Sequence, residues 1–216
     1  MREQIIATVE KEKIIAIVRG VEAEKCMKVA DALYAGGIRL MEVTFNQQKP
    51  ESFQVTADAI AAIGKAYEGR MLVGAGTVTT VELVEMAAAA GAKYIISPDA
   101  NPDVIRRTVE LGMVSMPGCM TPTEMLMAHR AGADFIKLFP AGDLGPSYMK
   151  SVRAPLNHLR VMAVGGVNEK NIADFLKVGA CGFGIGGNLA NKAWIDAGEY
   201  HKITETAQAM VAAING

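Results

Sequence analysis

Short apolar runs alternate with amphipathic stretches that end at glycine along this whole chain. Gly91, Gly112 and Gly132 follow three successive amphipathic stretches, at the place where a helix commonly ends. Strands that alternate with helices indicate a parallel sheet. The apolar runs number eight, and they begin near residues 14, 38, 71, 94, 113, 135, 161 and 181. In the second half of the chain, helices are predicted over 146–152 and 168–178, and the TPTE sequence at 121–124 predicts the capped start of another helix.

Eight such units in 216 residues predict a compact (β/α)8 barrel, the TIM-barrel architecture of the α/β class. Residues 2–12 carry Ile5, Ile6 and Val9 at helical spacing, which predicts a short N-terminal helix before the first strand. A doubly wound open sheet is the alternative architecture. Because no linker or low-complexity segment interrupts the pattern, we expect residues 1–216 to form one barrel domain.

The composition restricts the kind of partner. Half of the residues are hydrophobic, 21% are charged and the net charge is -1, so a nucleic-acid partner is not expected. No apolar run is long enough to span a bilayer, and the acidic first ten residues do not resemble a signal peptide. The three cysteines are far apart and match no metal-binding or disulfide spacing, which favours a reducing cytoplasm and no metal.

The apolar run at residues 135–140, FIKLFP, contains one lysine. Alternation along a strand places Phe135, Lys137 and Phe139 on one face. A buried ammonium is unfavourable unless it is paired or loses its proton. Lys137 is therefore either a neutral amine that acts as a nucleophile, or a lysine that extends to solvent from the strand end.

Glu42 is a second ionisable residue inside a predicted buried strand. Its strand is the second and that of Lys137 is the sixth, so the two residues face each other across the barrel. They form either a catalytic pair or a structural ion pair. The structural alternative is the weaker one, because a buried ion pair seldom stabilises a fold more than apolar residues would.

Glycine doublets follow the last two predicted strands. Gly165-Gly166 and Gly186-Gly187 stand where barrels commonly bind phosphate through backbone N–H groups and the start of a short helix. Residues 74–77 offer backbone donors and the Thr77 hydroxyl to a carboxylate. Arg19 either neutralises Glu42 or holds a substrate anion.

A lysine nucleophile, a carboxylate that carries protons and no metal together suggest Schiff-base chemistry on a ketone. Seven motifs accompany them: AIVR at 16–19, MEVT at 41–44, GAGTV at 74–78, ISP at 96–98, PG at 117–118 with TPTE at 121–124, IKLFPA at 136–141, and GGV at 165–167. With these motifs the sequence resembles the 2-keto-3-deoxy-6-phosphogluconate (KDPG) and 4-hydroxy-2-oxoglutarate (KHG) aldolases. These are pyruvate-forming class I aldolases, and the likeness covers essentially the whole chain.

The resemblance implies a reaction and roles for particular residues. Lys137 would form the Schiff base and Glu42 would move protons, while Thr77 would contact the pyruvate carboxylate and Arg19 would lie beside the glutamate. The substrate would be a small 2-keto acid sugar phosphate, cleaved to pyruvate and glyceraldehyde 3-phosphate, or the shorter KHG, cleaved to pyruvate and glyoxylate. The resemblance also implies a homotrimer that needs no cofactor. The full set of substrate-binding residues it implies is Arg19, Asn46, Thr77, Pro98, Val164, Gly165, Gly166, Gly186, Gly187 and Asn188.

Three positions depart from the gluconate-type pattern. Asn46 replaces an arginine that grips the carboxylate, Val164 replaces a threonine, and Asn188 replaces a serine. Asn46 and Val164 are more similar to the branch that acts on 2-keto-3-deoxy-6-phosphogalactonate, the C4 epimer. Two further alternatives are a phosphate-binding barrel isomerase or epimerase, in which Lys137 is only an electrostatic group, and a non-catalytic sugar-phosphate sensor.

Overall fold

The computed structural model describes residues 2–215, which form a barrel of parallel strands surrounded by helices. The strands are β1 (Ile14–Val18), β2 (Leu40–Thr44), β3 (Leu72–Gly76), β4 (Tyr94–Ile96), β5 (Val114–Met116), β6 (Gly118–Cys119), β7 (Ile136–Leu138), β8 (Val161–Val164) and β9 (Gly182–Ile185). The helices are α1 (Arg2–Glu12), α2 (Ala23–Ala35), α3 (Phe53–Ala66) after a 3-10 turn (Pro50–Ser52), α4 (Val81–Ala89), α5 (Pro102–Glu110), α6 (Pro122–Ala131), α7 (Ala141–Arg153), α8 (Ile172–Lys177), α9 (Lys192–Asp196) and α10 (Tyr200–Asn215).

The sheet has the strand order β5-β4-β3-β2-β1-β9-β8-β7-β6, and every pair is parallel. The predicted barrel is confirmed, but its fifth strand is two segments separated by Pro117. Proline has no N–H to donate to a strand ladder, so pairing with β4 ends at Met116 and pairing with β7 begins at Gly118. Since β5 and β6 are consecutive in the chain, the ring closes through Pro117, whose carbonyl accepts a hydrogen bond from the Lys137 N–H at 2.9 Å.

Alternation along the strands separates two apolar layers. Ile15 and Ile17 on β1 point into the barrel, whereas Ile14, Ala16 and Val18 pack outward against the helices. The predicted N-terminal helix is α1, and it closes the lower end of the barrel. Its buried residues Ile5, Ile6 and Val9 belong to the same apolar cluster as the inward side chains.

The helices on the side of the last three strands differ most from the prediction. The helix predicted at 146–152 starts earlier, at Ala141, with a break at Gly145, whose φ is 77°. The helix predicted at 168–178 covers only Ile172–Lys177, because the side chains of Asn168 and Asn171 accept local backbone hydrogen bonds that hold a turn. Helix α9 was not predicted. Within residues 2–215, no helix has the length and apolar character that crossing a membrane requires.

Candidate active site

Lys137 and Glu42 lie on opposite walls of the barrel interior. Lys137 is the central residue of β7 and is 5% exposed, and its Nζ lies 4.9 Å from the centroid of the Phe139 ring. Glu42 is the central residue of β2 and is 1% exposed. In the strand order, β1, β9 and β8 separate β2 from β7, and the same number of units separates them on the other side.

Two glycines of β3 make room for the groups beside Glu42. The Glu42 carboxyl lies over Gly76, where an added Cβ would be 2.7 Å from both Cδ and Oε2 of the glutamate. Gly74 makes the same room for the ring of Tyr94, whose hydroxyl donates a hydrogen bond of 2.6 Å to the Met41 carbonyl. The carboxyl position therefore depends on a neighbouring strand that carries glycine at two successive inward positions.

Burial changes the protonation of both groups. It raises the pKa of Glu42 to about 7, against the opposing effects of the positive charges of Lys137 and Arg19. Burial also lowers the pKa of Lys137, and the negative charge of Glu42 opposes that decrease. These shifts bring the amine closer to its neutral, nucleophilic form and allow the carboxyl to hold or release a proton near neutral pH.

The geometry does not support a structural ion pair between the two residues. Within residues 2–215, no nitrogen–oxygen contact of 4.0 Å or less joins Lys137 to Glu42. The buried Oε2 of Glu42 also has no hydrogen-bond partner in this part of the chain. An unpartnered buried carboxyl oxygen is unfavourable for stability, as is typical of groups retained for chemistry.

A cavity of about 530 Å3 opens above Lys137 at the carboxyl ends of β1, β7, β8 and β9. Eight of the predicted site residues line it: Arg19, Lys137, Val164, Gly165, Gly166, Gly186, Gly187 and Asn188. Three cations lie along its wall, Arg19, Lys137 and Lys192, whereas none of the described residues that line it is acidic. The cavity therefore favours an anionic ligand.

The glycine end of this cavity presents unused backbone donors. The N–H groups of Gly166, Val167, Gly187 and Asn188 have no acceptor among the hydrogen bonds of residues 2–215. Positive φ angles of 86° and 75° at Gly165 and Gly166 give this turn a backbone course that other residues rarely adopt. Such a turn exposes main-chain N–H groups to an anion.

A second hollow of about 300 Å3 adjoins the first at Arg19, which lines both. It contains Asn46 and Thr77, so the structure brings these predicted residues near Arg19 but not into the cavity of Lys137. Thr77 has a φ of 57°, and its carbonyl accepts a hydrogen bond from the Gln47 side chain at 2.8 Å. Asn46 is exposed.

Pro98 and Glu42 line neither hollow. The backbone of Pro98 packs against Gly118, where an added Cβ would be 2.3 Å from the Pro98 carbonyl oxygen. The Glu42 carboxyl packs against Gly76 of β3. Within residues 2–215, no cluster of three or more histidine, cysteine, aspartate or glutamate side chains is placed to hold a metal ion.

Sequence reasoning missed two polar or aromatic residues of the cavity, Phe139 and Lys192. Phe139 shares an alternating face with Lys137, so its position at the rim could have been read from the strand pattern. Lys192 begins the unpredicted α9, and no motif marks it. Only the folded chain brings it beside the glycine doublets.

Comparison with known proteins adds to this geometry. The family model for KDPG and KHG aldolase matches residues 5–206. A probable 2-dehydro-3-deoxy-6-phosphogalactonate aldolase of Rhizobium meliloti is 42% identical over 82% of this chain and 81% of its own length. The 2-dehydro-3-deoxy-6-phosphogalactonate aldolase of Escherichia coli is 37% identical over 83% and 85%, and the 2-dehydro-3-deoxy-phosphogluconate aldolase of Treponema pallidum is 36% identical over 94% of both chains.

Two solved structures have the same fold. A native KDPGal structure has a TM-score of 0.83 at 35% identity and covers 94% of both chains. A Legionella pneumophila KDPG aldolase, with pyruvate captured as a covalent carbinolamine intermediate, has a TM-score of 0.85 at 26% identity and covers 95% of this chain and 97% of its own. The chain belongs to the KDPG and KHG aldolase family, whose members are carbon–carbon lyases.

Proposed function

We propose that this protein is a class I aldolase that cleaves a 2-keto-3-deoxy-6-phospho sugar acid to pyruvate and glyceraldehyde 3-phosphate through a Schiff base on Lys137. The observation that carries the proposal is the position of this lysine. It is buried inside the barrel, it lines an anion-favouring cavity, and burial lowers its pKa. The carbinolamine of pyruvate in the Legionella KDPG aldolase supports the same chemistry.

In the cleavage direction, the neutral amine of Lys137 adds to the C2 ketone, and loss of water gives a protonated imine. A base removes the C4 hydroxyl proton, the C3–C4 bond breaks, and its electron pair moves into the imine to form an enamine. Glyceraldehyde 3-phosphate leaves. Glu42 then returns a proton to C3, and water releases pyruvate from the lysine.

The buried carboxyl of Glu42 suits the proton transfer. A group with a pKa of about 7 is present in both forms near neutral pH, so it can accept a proton and return it. Because no hydrogen bond holds Oε2 in the described chain, no bond needs to break before that oxygen takes the proton.

The two hollows suit the two ends of this substrate. Arg19 and Thr77 in one hollow support a carboxylate site, and the N–H groups at the two glycine doublets support a phosphate site in the other. Asn46 lines the same hollow as Arg19 and Thr77. Its amide can donate a hydrogen bond to the substrate carboxylate, in place of the contact that an arginine would make. The shorter 4-hydroxy-2-oxoglutarate fits the same carboxylate end.

A second candidate is preference for the galactonate epimer. Val164 lines the cavity next to the glycine turn and is 4% exposed, so it presents an apolar wall to the middle of the substrate. Two of the relatives above are named as 2-dehydro-3-deoxy-6-phosphogalactonate aldolases, and they support this preference. An isomerase, an epimerase or a sensor has no corresponding observation in its favour.

We further propose a homotrimer located in the cytoplasm. Three of the large apolar side chains that the structure exposes, Met120, Met127 and Phe139, lie within one segment of twenty residues around β6, α6 and β7. The three cysteines are free, in keeping with a reducing compartment.

Trapping with borohydride tests the central proposal. Incubation of the protein with pyruvate and sodium borohydride should add one reduced pyruvate, found by peptide mass spectrometry on Lys137. Lys137→Ala should abolish both the adduct and turnover while the circular dichroism spectrum is retained. Lys170→Ala, at an exposed lysine outside the cavity, is the matched control and should keep both. Turnover without an adduct would refute the Schiff base and favour an isomerase-type role for Lys137.

A further inference from the structure

Lys192 opens α9, directly after the loop that carries Gly187 and Asn188, and it lines the same cavity as Lys137. Its ammonium is paired with Asp196, one helical turn further on, at 2.5 Å. Asp196 also lies 3.5 Å from the ammonium of Lys25. The side chains of Lys192 and Asp196 are 63% and 47% exposed, and pairs of this kind contribute little to stability. Lys192 can therefore exchange its partner at small cost.

The charges along the cavity are unevenly placed. Arg19 lines the hollow that suits the carboxylate as well as the main cavity. The nitrogen of Lys137 is proposed to bond to C2 of the substrate, so it is not available to the distal phosphate. The basic side chain that remains for the end formed by the two glycine doublets, among the described residues that line the cavity, is Lys192.

Backbone N–H groups at this end supply dipoles but no net charge. A phosphate ester carries up to two negative charges at neutral pH, and an anion is bound more tightly when a cation makes a charge-assisted hydrogen bond to it. A lysine on a flexible stem delivers such a point charge without a fixed geometry. Glu169 and Glu205 line an outer hollow that shares Gly187 and Asn188 with the cavity, but neither glutamate lines the cavity itself.

We propose that Lys192 binds the distal phosphate of the substrate, leaving Asp196 for the phosphate oxygens when the substrate enters. Lys192 is then a determinant of specificity for phosphorylated substrates, and Asp196 is the competing partner that it gives up when the phosphate binds. This inference rests on the proposed aldolase function and deepens it.

Steady-state kinetics of Lys192→Met test the role. We expect KM for the 6-phosphorylated substrate to rise roughly tenfold with kcat little changed, as when one charge-assisted contact is lost. Inorganic phosphate should inhibit less well by a similar factor. Lys192→Arg should restore most of the affinity, and Asp196→Asn, which removes the competing carboxylate, should leave KM at or below the wild-type value.

Two matched variants distinguish a direct contact between Lys192 and the phosphate from the effect of removing any positive charge near the cavity. Lys170→Met removes the same charge beside the glycine loops but lines only the outer hollow, and Lys25→Met removes the other partner of Asp196 outside the cavity. Both should behave as the wild type. A KM for Lys192→Met equal to that of Lys170→Met would overturn the proposal, as would the same loss in Lys25→Met.

The pyruvate half-reaction keeps the two proposals distinguishable. Exchange of the pyruvate methyl protons involves no phosphate, so Lys192→Met should exchange them at the wild-type rate. If the wild type forms an imine and Lys192→Met has unchanged kinetics, the role of Lys192 alone is refuted. If the wild type forms no imine, the aldolase function is refuted, and the present inference is refuted with it.

Discussion

Glu42 combines complete burial, an unpartnered oxygen and a pKa of about 7. At pH below 7 the carboxyl is mostly protonated and cannot accept a proton, and above 7 it is mostly ionised. Exchange of the pyruvate methyl protons needs a base and a neutral Lys137, and both forms become more abundant as the pH rises. We therefore expect the exchange rate to increase through pH 7.

Glu42→Gln should slow this exchange roughly 10²–10⁴-fold, because the amide has the shape of the acid but cannot accept and return a proton. The part of the pH dependence that follows ionisation of Glu42, centred near pH 7, should disappear with it. Exchange in deuterated water, followed by NMR from pH 5 to 9, measures both effects. Pyruvate binding, measured by borohydride trapping, should change far less. An unchanged exchange rate would assign the base to another group.

Val164 is a second single residue on which the proposed specificity depends. It has a methyl group where a threonine would offer a hydroxyl to the substrate. The wild type should accept the galactonate epimer at least as well as the gluconate epimer. Val164→Thr should shift the ratio of kcat/KM toward the gluconate epimer by roughly tenfold, about the effect of one hydrogen bond. Val167→Thr, at a buried valine lining the glycine end of the cavity, is the control and should leave the ratio unchanged. A strong wild-type preference for the gluconate epimer that Val164→Thr does not move would contradict this reading.

Among the elements, β3 determines where the Glu42 carboxyl lies. Its residues Gly74 and Gly76 pair with Glu42 and Thr44 in the parallel register, and the missing side chain at Gly76 is the space that the Glu42 carboxyl uses. Strand β3 therefore positions the carboxyl through the absence of a side chain at Gly76. This dependence suggests a test in which Glu42 itself is unchanged.

Gly76→Ala should displace the Glu42 carboxyl, because the new Cβ would be 2.7 Å from Cδ. We expect pyruvate exchange to fall at least roughly tenfold and the free energy of unfolding to decrease by about 1–3 kcal/mol, as for overpacked interiors. Gly64→Ala in α3 meets nothing within 4 Å and should stabilise the helix by about 0.5–1 kcal/mol with unchanged exchange. Urea unfolding and NMR exchange measure the two properties. Wild-type exchange in Gly76→Ala would show that the carboxyl position is not decisive.

The same elements show what the sequence could and could not predict. The period of the apolar runs predicted the barrel and the inward face of Lys137, and the TPTE motif predicted the capping box at Thr121. The structure contains all three, because they depend on local patterns. The sequence did not predict the division of the fifth strand at Pro117, because this division depends on which neighbouring strand each half pairs with. It did not predict α9 either, because that helix is only five residues long. The enclosure of Glu42 by Gly76 depends on the strand register, which the sequence alone did not fix.

At the scale of the molecule, the closed barrel brings two ionisable residues that are distant in sequence into one interior. Lys137 and Glu42 are 95 positions apart in sequence, yet the closed strand order places them on facing walls of one interior. The cavity opens on the side of β8 and β9, and Glu42 on β2 does not line it. The pKa of Glu42 is therefore set by its burial and by the positive charges of Lys137 and Arg19.

Assembly is the remaining property of the whole molecule. Met127 on α6 is 46% exposed and Met120 just before it is 45% exposed, close to Phe139 in the chain at 38%. Exposed apolar side chains that recur in one segment suit an interface between copies, because burying them removes apolar area from water. We expect sedimentation velocity to give a trimer of about 69 kDa, three times the 22.9 kDa chain, since closed symmetric assemblies bury the same patch on every subunit.

Met127→Glu should weaken this trimer, because a charge placed in an apolar interface must be desolvated on association. Val55→Glu, at an apolar side chain of α3 that is 50% exposed, introduces the same charge away from the proposed interface and should leave the trimer intact. Circular dichroism should show both variants folded. A wild type that sediments as a 22.9 kDa monomer would refute the trimer. Dissociation by Val55→Glu, with Met127→Glu unaffected, would instead assign the interface to α3, on the side of the barrel where β2 and β3 hold Glu42.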